Sequence, residues 1–359
     1  MFEIRTDDKI TTMGDKVARP EDIFELHKWP ESWTERFPAG FPEVSENEKL
    51  TVAVMDSGIC SDTCKNHSWF VNTEVTKRYD ATGNDSTGDD LLGHGTGVAS
   101  IIARATPEIE MFSLKIFDDQ GSTGRGIIRD AYQWLARNSD EIDLVNMSWG
   151  SPNDVPQINE YHEKIIDMGI IDVVAAGNSS GRGGSPSTAK NAFSAGALNE
   201  DGDPTRFSSW NPDKGNPEVA VIGKDVKVAK ADGADLGKPL DDNFVKCSGT
   251  SFSAPYTAAA YINALYKEKV NWDGRFVRGA EDIPGTEKDG AGVLKLQETL
   301  KETSFGMNGH SQKSRAEASS WDFRGNDTLW IDADWLPSGD TSAELLDETK
   351  EYVDIRIEK

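Results

Sequence analysis

Four short segments of the chain hold residue types that can do chemistry together: VAVMDSG with Asp56, GHGTG with His94, AAGNSSG with Asn178 and SGTSFSAP with Ser251. A serine hydroxyl is a weak nucleophile until a neighbouring base takes its proton. Histidine suits that task because its pKa lies near neutrality. A buried carboxylate on the far ring nitrogen fixes the tautomer and stabilises the imidazolium. The tetrahedral oxyanion then needs donors aimed at it, which a serine backbone N–H and an asparagine side-chain amide can supply. Together these residues point to attack on a carbonyl carbon. Singly each has a plainer reading, Asp56 and Ser251 as helix caps and His94 as a structural histidine.

Such a set works only if the fold gathers it. LTVAVMDSG, EMFSLKIF, IDLVNMSWG, IIDVVAAGN, AFSAGAL and PEVAVIG read as short buried strands. GVASIIAR, TGRGIIRDAYQWLARN, INEYHEKIIDMG and SAPYTAAAYINALYKE read as helices. In the second of these, Ile127, Ile128, Ala131, Trp134 and Leu135 share one side. Strands alternating with helices predict an α/β fold, a mostly parallel sheet covered on both faces. The C-terminal ends of parallel strands share one edge, where ligands bind, so residues far apart in sequence can meet there.

The segments DSGI (56–59), GHGTGVAS (93–100), AAGN (175–178) and GTSFSAP (249–255) resemble the signature segments of the subtilisin family, in that family's order. The resemblance covers Leu50 to Lys269. It implies a three-layer subtilisin-like fold and a serine endopeptidase that cleaves polypeptides through an acyl-enzyme. It assigns Ser251 as nucleophile, His94 as general base and acid, Asp56 as the group orienting His94, and Asn178 as an oxyanion donor. NMSWGSP (146–152) is similar to the family segment that pairs with substrate backbone and lines the first specificity pocket, which carries over Ser148, Trp149 and Gly150. DDQGSTG (118–124) resembles the strand across the cleft, with Gly121, Ser122 and Thr123 facing peptide. A peptide held between two enzyme strands gains affinity from backbone bonds and selectivity from pockets. Asp118 and Asp119 nearby suggest tolerance for basic substrate side chains. The resemblance implies no cofactor for the chemistry. Structural calcium stays open, because the loop after the histidine helix, ARATPEIEMF, lacks the insertion that carries a strong calcium site in many relatives. The chain departs from the family at Gly97, where a second histidine is usual, and at Tyr256-Thr257, which replace His-Val.

Other features compete for attention. GNSSG (177–181) matches the G-x-S-x-G nucleophile elbow of esterases, with Ser179 as nucleophile. An elbow must lead into a helix, and GRGGSPST cannot form one. Cys60, Cys64 and His67 have a loose metal-like spacing, and structural cysteines are the plainer reading. Asp85, Asp89 and Asp90 form an acidic loop that can hold a cation but more often is a solvated turn. Cys247 reads as a small core filler.

The totals set the frame. The 359 residues allow one large domain with small additions. Lys and Arg number 38 against 62 Asp and Glu, a formal net charge of −24. That field repels nucleic acid and anionic membranes, favours basic partners and fits a high-salt setting. No apolar run is long enough to span a bilayer, and the first residues lack the pattern of a secretory signal. The expected location is therefore cytoplasmic, or outside after release without a signal peptide. Three cysteines are too few for a disulfide framework. Residues 1–48 read as a polar extension broken by Pro20, Pro30, Pro38 and Pro42, either a short pro-segment or structural, with part of FELHKWPESWTERF packed on the main domain. Residues 49–302 read as the catalytic domain. Residues 303–359 read as a β-rich appendage and a candidate docking element for a partner protein, with Val353, Ile355 and Ile357 on one face of its last strand.

Overall fold

The computed structural model describes residues 17–27, 44, 49–61, 67–83, 87–211, 213 and 216–268, together with the two-residue strands Phe2–Glu3 and Ile355–Arg356. Its frame is a seven-stranded sheet. In chain order the strands are β1 (Leu50–Asp56), β2 (Thr73–Asp80), β3 (Ile109–Lys115), β4 (Leu144–Met147), β5 (Ile171–Ala175), β6 (Ser194–Leu198) and β7 (Val219–Ile222). They lie side by side as β2-β3-β1-β4-β5-β6-β7, every pair parallel. The helices are α1 (Pro20–Leu26), α2 (His94–Ala105), α3 (Arg125–Arg137), α4 (Pro156–Asp167) and α5 (Thr250–Glu268).

The two-residue period of the strands sorts the core into two layers. Val52 and Val54 of β1 join one cluster with Val98 and Ile101 of α2 and Phe252 and Ile262 of α5. Ala53 and Met55 join the other with Ile128 and Leu135 of α3 and Ile158 and Ile165 of α4. A strand buried on both faces favours apolar residues throughout, which is why the central runs carry so few polar ones. The expected α/β fold with helices on both faces is what the chain adopts. A smaller antiparallel sheet, β9 (Lys238–Pro239), β10 (Phe244–Cys247) and β8 (Val226–Ala229), stands beside it.

Part of the N-terminal extension is built into this body. Pro20 opens α1, where a missing N–H costs nothing, and the Arg19 N–H donates to Asp22 Oδ2 at 2.9 Å. Ile23 and Phe24 are buried, and Phe24 meets Tyr256 of α5 edge-on at 6.4 Å between ring centroids. Ala18 pairs with Val226, and the Ile222 N–H donates to His27 Nε2 at 3.1 Å. Both departures from the family pattern acquire a physical role here. Tyr256 is the surface on which α1 packs. A Cβ on Gly97 would lie 3.1 Å from Val228 Cγ2, so the glycine lets β8 sit close against α2. Truncating Phe24 to alanine removes a buried ring and should lower stability by about 3–5 kcal/mol. This would appear as a lower urea midpoint at constant m, whereas an unchanged midpoint would show that α1 is not docked in solution.

The expected C-terminal appendage, with its docking role, lies outside the described residues except for Ile355–Arg356, which pair in parallel with Phe2–Glu3. Cys64, Asp85 and the tryptophan pair of the N-terminal extension also lie outside them.

Candidate active site

Strand β1 ends at Asp56 and helix α2 begins at His94, and the two meet at the sheet's C-terminal edge. Both side chains are buried. His94 Nδ1 lies 2.8 Å from Asp56 Oδ1. A carboxylate only accepts, so Nδ1 carries the hydrogen and Nε2 keeps its lone pair. That Nε2 is buried with no hydrogen-bond partner. Burial alone would lower the imidazole pKa. The charge of Asp56, its hydrogen bond and the charge of Asp90 outweigh this and raise it above its ordinary value. The approach of the two segments is close: a Cβ on Gly95 would fall 2.1 Å from the Gly58 carbonyl oxygen, so only glycine fits.

Ser251 lies in the first turn of α5, directly after β10 and the Gly249 turn. Pro255 sits four residues further on and has no N–H to give the Ser251 carbonyl. Ser148, just past β4, takes that place: its Oγ donates to the Ser251 carbonyl at 2.8 Å. In return the Ser251 Oγ donates to the Ser148 carbonyl at 2.9 Å, and Asn146 Nδ2 donates to Ser148 Oγ at 3.0 Å. In this arrangement the Ser251 hydroxyl is turned to Ser148 rather than to His94. The His94 ring packs on that of the next residue, Phe252, at 5.5 Å.

Asn178 follows β5. Its Oδ1 accepts from the Thr250 N–H at 2.9 Å and the Thr250 hydroxyl at 3.0 Å, while Thr250 Oγ1 accepts from the Gly177 N–H at 3.0 Å. With Oδ1 thus held, the amide nitrogen faces the Gly249 turn. A Cβ on Gly249, whose φ is +152°, would lie 3.2 Å from Asn178 Nδ2 and 3.7 Å from the Ser251 nitrogen. Two N–H donors therefore converge beside a residue that must lack a side chain.

The segments expected to face peptide flank this edge. In the first, Asp118 Oδ1 accepts from the Gln120 and Ser122 N–H groups, both at 2.9 Å, and Gly121 turns at a φ of +74°. Thr123 is buried with Oγ1 unpartnered. In the second, Ser148 and Trp149 are buried, and Gly150 faces the Ser185 carbonyl. Asp119 is paired with buried Lys115 at 2.9 Å. Asp118 keeps its charge while capping its own loop, and that of Asp119 is offset by Lys115.

The competing readings fare differently. Ser179 Oγ is bonded to Ser209 Oγ at 2.8 Å and to the Arg182 carbonyl at 3.1 Å, and turns follow it, not a helix. Cys60 is disulfide-bonded, while His67 uses Nδ1 to accept from the Trp69 N–H and Nε2 against the Asn243 carbonyl. Among the described residues no group of three or more His, Cys, Asp or Glu side chains is placed to hold a metal ion. Cys247 is a free, buried cysteine whose thiol is pushed up by burial. Asp90 corrects the sequence reading outright. It is buried, not a residue of a solvated turn, and its carboxylate is fully engaged at the entry to α2. The D-x-x-G-H-G-T spacing, an aspartate just ahead of a helix, was the signal that could have shown this.

Comparison with known proteins gives the family. The profile of the Subtilase family matches residues 47–321. The chain is 28% identical over 243 residues to the Intracellular serine protease of Paenibacillus polymyxa, covering 62% of this chain and 68% of that protein. It is 25% identical over 233 residues to Subtilisin DY of Bacillus licheniformis, covering 61% and 77%. The solved structure of a lanthipeptide protease shares the fold with a TM-score of 0.61, at 16% identity, over 78% of this chain and 94% of that one. The chain belongs to the subtilase family. It is a subtilisin-like serine protease, a class that needs no cofactor for catalysis. No helix among the described residues is long and apolar enough to cross a membrane.

Proposed function

We propose that the chain hydrolyses internal peptide bonds of polypeptides with Ser251 as nucleophile, His94 as general base and acid, Asp56 as its orienting carboxylate, and Asn178 with the Ser251 N–H as oxyanion donors. The observation that carries this is the buried Asp56–His94 hydrogen bond at 2.8 Å, which leaves a free lone pair on Nε2 at the edge where Ser251 stands. Rotation about the Ser251 side chain exchanges the Ser148 carbonyl for Nε2. The Oγ then bonds to the substrate carbonyl carbon as its proton passes to Nε2. Collapse of the tetrahedral intermediate breaks the C–N bond, and the same proton leaves with the amine. Water repeats the sequence on the acyl-enzyme and releases the acid. Substrate backbone lies as a strand between 121–123 and 148–150.

Labelling with a fluorophosphonate, which reacts only with an activated serine, tests the assignment in wild type, Ser251→Ala and Ser179→Ala. Labelling lost with Ser251 and kept without Ser179 is the expected result. Labelling that follows Ser179 would turn the protein into an esterase of another kind, and a folded wild type that never labels would sink the assignment.

A further inference from the structure

We propose that Asp90 is a positioning residue for the Asp56–His94 pair, holding the two segments that carry them in one register. This rests on the catalytic reading above. The carboxylate receives four hydrogen bonds: Ser57 Oγ at 2.9 Å and the Gly93 N–H at 2.8 Å on Oδ1, the Thr96 N–H at 2.8 Å and Thr96 Oγ1 at 2.7 Å on Oδ2.

The two hydroxyls pass the constraint onward. Ser57 Oγ accepts from the Gly95 N–H at 2.9 Å and donates to Asp90. Thr96 Oγ1 accepts from the Cys60 N–H at 3.0 Å and donates to Asp90. Burial pushes the Asp90 pKa up, and the hydrogen bonds from Thr96, Gly93 and Ser57 oppose that rise. Ser57 also donates its N–H to Asp56 Oδ1 at 2.7 Å. One buried carboxylate thus links the residue after Asp56, the residues on both sides of His94 and the loop at Cys60.

Asp90 also acts at a distance. The charged groups facing His94 are Asp56 from β1 and Asp90 from the loop ahead of α2. Arg78 of β2 spends its guanidinium on the Ile59 and Cys60 carbonyls, and Lys115 of β3 donates to the Asp89 carbonyl and Asp119. From α5 the neighbour is the uncharged Phe252 ring. A negative charge close to the imidazole favours its protonated form, the form made in the transition state.

The test is Asp90→Asn in the full chain, with kcat, KM and the pH dependence of kcat/KM on a peptide substrate. Asparagine removes the charge and turns an N–H₂ toward donors. The expected result is a kcat lower by about 10–100-fold, as for a small misplacement of reacting groups, with KM unchanged. The acid limb should move to lower pH, because an imidazolium with one anion less beside it loses its proton sooner. A folded variant with wild-type kcat, or with its acid limb unmoved, would overturn the proposal. If Asp90→Asn does not fold, Ser57→Ala decides: it keeps the charge and cuts one link, so kcat should fall about 10-fold with the acid limb unmoved. Wild-type kcat in Ser57→Ala refutes the positioning role. Failure of the underlying reading would show separately, as a wild type whose fluorophosphonate labelling does not depend on Ser251.

Discussion

Replacing His94 by alanine should lower kcat for peptide hydrolysis by on the order of 10⁶, a magnitude taken over from subtilisin itself. The structure gives the reason in this chain. Among the residues around Ser251, His94 offers a buried nitrogen lone pair that no other group uses, and Asp56 fixes which nitrogen that is. Without it the hydroxyl has only the Ser148 carbonyl as a partner, and a carbonyl cannot carry away a proton. KM should change little, since His94 is buried and lies outside the two segments proposed to pair with substrate backbone. The double variant His94→Ala with Ser251→Ala should be no slower than either single one, because the pair acts as a unit. A double variant slower by the product of the two losses would show that the residues act independently. The acid side of the profile follows the same logic. Only neutral His94 is a base, so activity falls as pH drops through a pKa that Asp56 and Asp90 hold above the ordinary imidazole value, despite burial.

Removing the Asn178 amide is the second large effect. Asn178→Ala should lower kcat by ~10²–10³ with KM nearly unchanged, again by analogy with subtilisin. Its Oδ1 is tied to Thr250 twice, so the amide nitrogen is fixed before substrate arrives. A donor already in place strengthens as charge develops on the oxyanion and needs no reorganisation at that moment. Asn178→Asp is a sharper variant, because it keeps an acceptor for Thr250 and loses the donor. Equal damage from both substitutions would assign the loss to the oxyanion. Full activity in Asn178→Asp would show that Asn178 serves only to hold Thr250.

Much of this was legible in the sequence, for reasons that also explain the rest. LTVAVMD, IDLVNM and IIDVVA stand out because β1, β4 and β5 are buried on both faces, which makes most of their residues apolar. TEVTKRYD did not stand out. As β2 it is an edge strand with a half-exposed face, and its polar alternation resembles a loop. Pro20 reads as an interruption among the prolines of the extension, although proline at a first helical position is a start signal. Asp56, His94, Asn178 and Ser251 were legible through their glycine-rich surroundings and their order along the chain. The place of Asp90 at the entry to α2 has a local signal in D-x-x-G-H-G-T, but its bond to Ser57, 33 residues away, has none. The present orientation of the Ser251 hydroxyl was equally hidden, since Ser148 is 103 residues distant.

Pro255, in the first turns of α5, bears on the order in which the proposed site is completed as the chain folds. The carbonyl it frees is claimed by a strand end made much earlier, so the nucleophile's turn is completed by a long-range contact and not by its own helix. Contacts of such separation form late, after the entropy of closing the intervening chain has been overcome. On the proposed reading, a chain in which Asp56 and His94 are already paired should stay inactive until α5 docks against β4 and β5.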